Sequence, residues 1–180
     1  MSDPFATLDG LWTHLWDRLD RGVASADDPF RLVSLATSGA EGPEVRTVAL
    51  RGADRAARTV EVHSDLRTAK VRALERDPRA QILLWDAGAQ LQLRLSVRVE
   101  VLRGEAERWA RVPPEARGNY GTDPAPGTPV VAPEDVTRTP RQARFAALVG
   151  TVVAMDAVSL AQDPHRRAMF DGRAGRWTAP

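Results

Sequence analysis

The sequence predicts a single, mainly β domain of 180 residues with a helix at its N-terminus. From Gln90 to Val101 polar and apolar residues alternate without a break, as in a strand with one buried face. Such a run exceeds the usual strand length of about five or six residues and is typical of a barrel or a coiled sheet. Shorter apolar runs separated by turn residues indicate further strands, and apolar residues at helical spacing indicate the N-terminal helix.

These patterns place the elements along the chain. The amphipathic helix covers about 5–22, and its stripe, which contains Trp12 and Trp16, is interpreted as core packing. Strands are predicted at 32–37, 44–51, 58–64, 80–85, 90–101 and 145–156, which gives a barrel over about 30–160. A helix is expected after Ser64 or Asp65, either of which can act as its N-cap, and a short one at 104–112. A C-terminal tail follows at about 161–180, with a helical turn near its start.

The segment 113–135 contains six prolines and predicts a long loop. Long loops within compact domains are often functional or mobile, so this segment is a candidate wall of a binding site.

Composition excludes several classes of function. The 25 basic and 24 acidic residues leave a net charge of +1, which argues against a broad electrostatic grip on nucleic acid. The chain has no cysteine, which excludes disulfides, iron–sulfur clusters and cysteine-bound zinc, and its three histidines, His14, His63 and His165, lack the spacing of a metal site. No segment has the length of a membrane span and the first residues do not resemble a signal peptide, so we expect no membrane contact and a cytoplasmic protein.

Residues 46–70 suggest an anion site. Arg46 lies in an apolar strand and needs an acceptor, while Ser64, Thr68 and Lys70 follow at a junction between a strand and a helix, where backbone N–H groups suit phosphate. Lys70 is the only lysine among the 25 basic residues. The alternative is that Ser64 only caps the helix, Arg46 pairs with an acid and Lys70 is solvated.

Familiar nucleotide and nucleophile motifs are missing: the sequence contains neither G-x-G-x-x-G, nor a P-loop, nor G-x-S-x-G. On the long strand, the amide of Gln92 offers a paired donor and acceptor for the polar edge of a ring, or it faces solvent.

Three segments, 46–51 (RTVALR), 63–70 (HSDLRTAK) and 92–95 (QLRL), resemble the motifs of the pyridoxamine 5'-phosphate oxidase-like family, in the same order and at fitting separations. The resemblance runs from about residue 28 to residue 170. It implies an FMN-binding split β-barrel with short peripheral helices, usually a homodimer with two flavins at the subunit interface. The implied activity is an FMN-dependent oxidoreductase that transfers hydride between a small-molecule substrate and FMN.

The resemblance also implies the cofactor residues. Arg46 corresponds to the arginine at the flavin phosphate, His63 takes the place of the family's usual aromatic residue, and Gln92 corresponds to the glutamine that bonds the flavin ring. The full set is Arg46, Thr47, Val48, Ala49, His63, Ser64, Thr68, Lys70 and Gln92. Ala69 stands where the oxidases have a further basic residue.

On the substrate side, the resemblance implies Arg51, Tyr120, His165 and Arg166 as ligands. Pro124 and Met169 stand at positions where the oxidases have arginine, which puts oxidation of vitamin B6 phosphates in question. Two other functions stay open: a flavin-binding carrier or sensor without turnover, and a split barrel that uses a deazaflavin or haem.

Overall fold

The computed structural model describes residues 3–180. Its helices are α1 (Leu8–Ala24), α2 (Ala69–Arg76) and α3 (Ala106–Arg111). Its strands are β1 (Leu32–Ser38), β2 (Pro43–Asp54), β3 (Thr59–Asp65), β4 (Arg79–Asp86), β5 (Leu91–Arg103), β6 (Thr122–Asp123), β7 (Thr137–Arg138), β8 (Phe145–Ser159), β9 (Arg166–Asp171) and β10 (Ala174–Thr178). A 3₁₀ helix spans Pro114–Tyr120.

Six strands close into an antiparallel barrel, as the sequence predicts. The order β3-β2-β1-β4-β5 is closed by β8, which pairs with β5 on one side and β3 on the other. Along the edge that faces β3, strand β8 pairs with two strands in succession: with β3 up to Thr151 and with β9 from Ala154. The barrel therefore continues into the β9–β10 hairpin.

The predicted alternation of β5 is confirmed. Leu91, Leu93, Leu95, Val97 and Val99 are buried, and the residues between them lie towards the outside of the barrel. This strict separation of faces follows from the period of two along a strand.

Helix α1 begins after Thr7, whose side chain accepts a hydrogen bond from the N–H of Gly10. Its tryptophans are core residues, as expected: Trp12 and Trp16 are buried, and the ring of Trp12 lies 5.4 Å from that of Phe170 in β9. None of the helices in residues 3–180 is long and apolar enough to cross a membrane.

The predicted start of α2 is wrong. Neither Ser64 nor Asp65 is the N-cap, because both pair with β8 as the last residues of β3, opposite Ala146 and Phe145. The helix begins at Ala69 after the cap residue Thr68. Pairing between segments some 80 residues apart thus decides where β3 ends, and local sequence does not contain that information.

The predicted C-terminal tail with its helical turn is also wrong. Residues 166–178 form the hairpin β9–β10, whose turn contains Gly172 with a φ of +56°. Ala168 and Phe170 are buried on one face of β9, and this pairing satisfies the edge of β8 that β3 leaves open. The long loop is confirmed, but it contains the 3₁₀ helix and the two-stranded sheet β6–β7.

Candidate functional site

A cleft of about 560 Å³ lies between the barrel and the long loop. One wall consists of the middle of β2, the end of β3 and the start of α2, and the other consists of residues from the 3₁₀ helix and from the segment 122–136. Pockets of this size accept drug-sized or cofactor-sized ligands.

The fold brings most of the predicted site residues together here. The predicted cofactor residues that line the cleft are Thr47, Val48, Ala49, His63, Ser64, Thr68 and Lys70, and two predicted substrate residues, Arg51 and Tyr120, join them. They come from neighbouring strands because β2 pairs with β3, and from the turn by which β3 enters α2.

Lys70 is a positive charge without a carboxylate partner in residues 3–180. Its Nζ donates to Ser64 Oγ over 3.4 Å, and Ser64 Oγ lies 2.9 Å from Thr68 Oγ1. Burial, followed by the nearby charge of Arg46, lowers the pKa of Lys70. A cation that burial and a like charge both disfavour becomes stable when an anion binds beside it.

Arg46 does not line the cleft, although its charge reaches Lys70. Its Nη2 donates to Glu44 Oε2 over 2.6 Å, and its Nη1 donates to Thr37 Oγ1 over 2.7 Å. The pairing of Arg46 with an acid, which the sequence left as an alternative, is therefore present. Its role as a phosphate ligand stays a prediction.

His63 is part of a polar cluster that sequence reasoning missed. Its Nε2 lies 2.7 Å from Glu61 Oε1, and the other carboxylate oxygen of Glu61 accepts from Arg108 Nε over 2.9 Å. Burial raises the pKa of the Glu61 carboxyl, but the hydrogen bonds from His63 and Arg108 lower it by a larger amount. The pKa of Glu61 therefore lies below its ordinary value. Glu61 lies two residues before His63 in β3, so the alternation of a strand places both side chains on one face and could have predicted their contact. The contact of Arg108 with Glu61 has no such local pattern in the sequence.

The loop wall is fastened to the barrel by Arg67, another residue without a sequence signal. Arg67 donates through two nitrogens to the carboxylate of Asp65 and through Nη2 to the carbonyl of Thr122 over 2.7 Å. Burial raises the pKa of Asp65, whereas the bonds from Arg67 lower it more, so this carboxylate is held charged. Tyr120 packs edge-on against Phe145 and is mostly buried, which raises its pKa.

Four predicted residues lie outside this cleft: Arg46, as described above, and Gln92, His165 and Arg166. Gln92 lines a groove of about 340 Å³ on the barrel surface together with Leu83 and Arg94. His165 and Arg166 line a second cleft of about 530 Å³ beside Trp177. Within the part of the chain that the structure describes, no group of three or more acidic or histidine side chains is placed to hold a metal ion.

The closed six-stranded barrel with this cleft beside it defines a split β-barrel protein. The sequence profile of the family described as pyridoxamine 5'-phosphate oxidase, FMN-binding domain, matches residues 12–103, just over half of the chain. The chain therefore belongs to that family. No curated protein sequence matches it.

Solved structures share the fold. A pyridoxamine 5'-phosphate oxidase-related, FMN-binding protein from Nostoc punctiforme superposes with a TM-score of 0.75 at 20% identity, covering 94% of this chain and 96% of its own. PhzG from Burkholderia lata, solved with tetrahydrophenazine-1-carboxylic acid, gives 0.71 at 22% identity, covering 100% and 94%. A protein related to general stress protein 26 from Clostridium acetobutylicum gives 0.58 at 14% identity, covering 88% and 94%.

Proposed function

We propose that this protein binds FMN in the cleft and is an oxidoreductase that transfers hydride between a small substrate and that flavin. The observation that carries the proposal is Lys70, the only lysine of the chain, which lies half-buried in the cleft with hydroxyls around it and no carboxylate partner in the described residues. The family match adds that the domain type is FMN-binding.

The residues present fit the cofactor. In this proposal Ser64, Thr68 and Lys70 hold the phosphate, and the β2 segment Thr47–Ala49 supports the flavin ring. When bound, FMN supplies the hydride chemistry, and the protein supplies binding, orientation and exclusion of water. Arg46 can contribute a further charge to the phosphate if its guanidinium leaves Glu44.

We also propose a homodimer. Gln92 corresponds to a family residue at the flavin ring, and His165 and Arg166 correspond to family residues at the substrate, but all three lie on other surfaces of this chain. In a dimer, these surfaces can meet the cleft of a second copy. The barrel surface beside Gln92 favours such contact because it exposes apolar side chains, among them Val45 (69% exposed) and Trp85 (44%).

The first experiment is a flavin titration of the full-length protein. We expect added FMN to bind and its fluorescence to change, and the cofactor released from purified protein to have the mass of FMN. Lys70→Met should weaken FMN binding about 10- to 100-fold, the effect of losing a charge-assisted hydrogen bond, and should leave the binding of riboflavin, which has no phosphate, nearly unchanged. Arg98→Met is the matched control, since it removes one exposed positive charge from β5, away from the cleft.

The outcomes separate the remaining functions. A wild-type protein that binds neither flavin overturns the proposal, and a deazaflavin or haem titration then tests the other ligands of a split barrel. A protein that binds FMN but whose flavin is not reduced anaerobically by any of a panel of small amines and alcohols is a carrier or sensor instead of an oxidoreductase.

A further inference from the structure

We infer that Glu44 competes with the phosphate of FMN for the guanidinium of Arg46, and thereby limits the affinity of the cleft for this cofactor. In this structure the carboxylate of Glu44 binds Arg46, and the phosphate gains a second cation beside Lys70 only when Glu44 turns aside. The inference rests on the proposed function, because it concerns how the same cleft binds FMN. Glu44 acts through Arg46 and does not itself contact the cofactor.

Arg46 and Lys70 lie at the same end of the cleft. Strands β2 and β3 are antiparallel, and their pairing runs from Leu50 and Val62 towards the hairpin that joins them. The residues before Leu50 and those after Val62 therefore lie at one end, where the cleft opens between the two strands. Arg46 is two residues, or about 7 Å along the strand, from Val48 in the cleft wall, a distance that an arginine side chain can span.

The two terminal nitrogens of Arg46 are held differently. Nη1 donates to the carbonyl of Leu35 over 3.2 Å, to Thr37 Oγ1 over 2.7 Å and to the carbonyl of Glu44 over 3.2 Å. Nη2 has one partner among residues 3–180, which is Glu44 Oε2 at 2.6 Å. The guanidinium can therefore keep its bonds to β1 through Nη1 while Nη2 exchanges one anion for another.

Glu44 is the member of the pair that can move. Its side chain is 41% exposed, against 22% for Arg46, so its carboxylate can turn into solvent. An ion pair of this exposure shifts an equilibrium by up to about fivefold. A phosphate, which can accept charge-assisted hydrogen bonds from two nitrogens of a guanidinium, can displace such a partner, but the displacement lowers its net affinity.

Gly39 provides the space for this carboxylate. It lies in the turn after β1, and a Cβ at this position would lie 2.6 Å from the carboxyl carbon of Glu44, too close for both to keep their places. The φ of Gly39 lies outside the left-handed region, so alanine can adopt the same backbone. Gly39→Ala therefore displaces the carboxylate from Arg46 and leaves every charge of the chain unchanged.

The charges at this end of the cleft match a phosphate monoester when the ion pair is open. Lys70 and Arg46 carry two positive charges, and Glu44 cancels one of them while the pair is closed. A phosphate monoester carries about −1.5 to −2 charges at neutral pH. The phosphate is thus neutralised fully by the open pair and only in part by the closed one.

The test measures the dissociation constants of FMN and riboflavin with the full-length protein by flavin fluorescence. We expect Glu44→Gln and Gly39→Ala each to tighten FMN binding about three- to fivefold, because both remove the competitor. Riboflavin has no phosphate, so its binding should not change. Glu41→Gln is the matched control, since it removes one exposed acid from the same turn, and it should bind FMN as wild type.

The same substitutions in an Arg46→Met variant separate competition from a general effect of charge. Without Arg46 there is nothing to compete for, so Gly39→Ala should change the FMN affinity by less than about 1.5-fold. A gain from Glu44→Gln that is as large in Arg46→Met as in the wild type, or that Gly39→Ala does not share, would be an effect of charge alone and would overturn the inference.

The outcomes also distinguish this inference from the proposed function. If the wild type binds FMN and neither Glu44→Gln nor Gly39→Ala binds it more tightly, the inference is wrong and the proposed function stands. If the wild type does not bind FMN, the proposed function is wrong. Binding of FMN by Glu44→Gln that is lost on adding Arg46→Met would then leave the competition correct, and no binding by Glu44→Gln would overturn both.

Discussion

The substitution Arg18→Met tests how α1 is attached to the barrel. Arg18 is buried in spite of its position among the polar residues of the helix: its Nη1 lies 2.7 Å from Asp86 Oδ2 at the end of β4, and its Nη2 lies 3.5 Å from Asp28 Oδ1. The guanidinium also stacks on Phe30, with 4.5 Å between its carbon and the ring centroid.

The expected cost follows from the charges that the substitution leaves behind. Breaking a buried ion pair by removing one partner costs about 3–5 kcal/mol. Each carboxylate keeps a backbone N–H, that of Ala89 at 3.0 Å for Asp86 and that of Phe30 at 2.8 Å for Asp28, so we expect a value near the lower limit, about 3 kcal/mol. Adding Asp86→Asn removes the stranded charge and should recover about half of the loss.

Urea unfolding followed by tryptophan fluorescence measures this cost, because Trp12 and Trp16 are buried on the same helix. Arg21→Met, at an exposed position of α1, is the control and should change the free energy of unfolding by less than about 0.5 kcal/mol. A loss below about 1 kcal/mol for Arg18→Met, or a double variant no more stable than the single one, would refute the reasoning.

The pH dependence provides an independent check. Burial raises the pKa of Asp86, but hydrogen bonds from the Ala89 N–H and from Arg18 lower it more, so its pKa in the folded protein lies below the ordinary value of 3.8. A lowered carboxyl pKa stabilises the fold above the unfolded pKa, and this contribution disappears as pH falls through the folded pKa. The difference in stability between wild type and Arg18→Met should therefore shrink below about pH 4.

Three further predictions concern the cleft. In Gly121→Ala the new Cβ would lie 1.6 Å from the carbonyl oxygen of Thr139, so the β6–β7 sheet must move and FMN binding should weaken. Gly118→Ala is the control, because its new Cβ has its nearest neighbour at 3.7 Å, and it should bind FMN as wild type in the same fluorescence titration. Arg67→Met removes one of the two hydrogen bonds to the carbonyl of Thr122, the other coming from Arg144, and leaves the buried carboxylate of Asp65 without its ion pair, so amide hydrogen exchange should increase in residues 122–138 and at the end of β3; equal protection in both proteins would contradict this. Lys70→Arg keeps the charge but replaces a compact ammonium with a planar fork, so FMN affinity should fall about tenfold; unchanged affinity would show that charge alone matters at this position.

Much of the fold could be predicted from periodicity. The alternation of β5 and the apolar stripe of α1 are local patterns, and each of them separates a core face from an outer face in the structure. The β9–β10 hairpin had a weaker local signal, since Gly172 is the first of the two loop residues between the paired residues Asp171 and Ala174, a position where a hairpin turn requires a positive φ. The end of β3 had none, because its pairing with β8 determines it.

The candidate site also has one part that the local sequence predicts and another part that it does not. Lys70, Ser64 and Thr68 lie within one short segment, so their proximity follows from a single turn between β3 and α2. The partners of this segment are distant in sequence: Arg108 reaches Glu61 across 47 residues, and Arg67 reaches Thr122 across 55. Only the closed barrel brings them together, and no local pattern contains that closure.

The position of the cations suggests why one of them is a lysine. Lys70 lies in a half-buried corner among two hydroxyls, where a compact ammonium can donate in several directions to the oxygens of a phosphate. Arg51 lines the same cleft from a β-bulge of β2, and its planar guanidinium can donate through two nitrogens at once. Every other basic residue of the chain is arginine, so Lys70→Arg is the substitution that tests whether this corner favours a compact ammonium over a planar guanidinium.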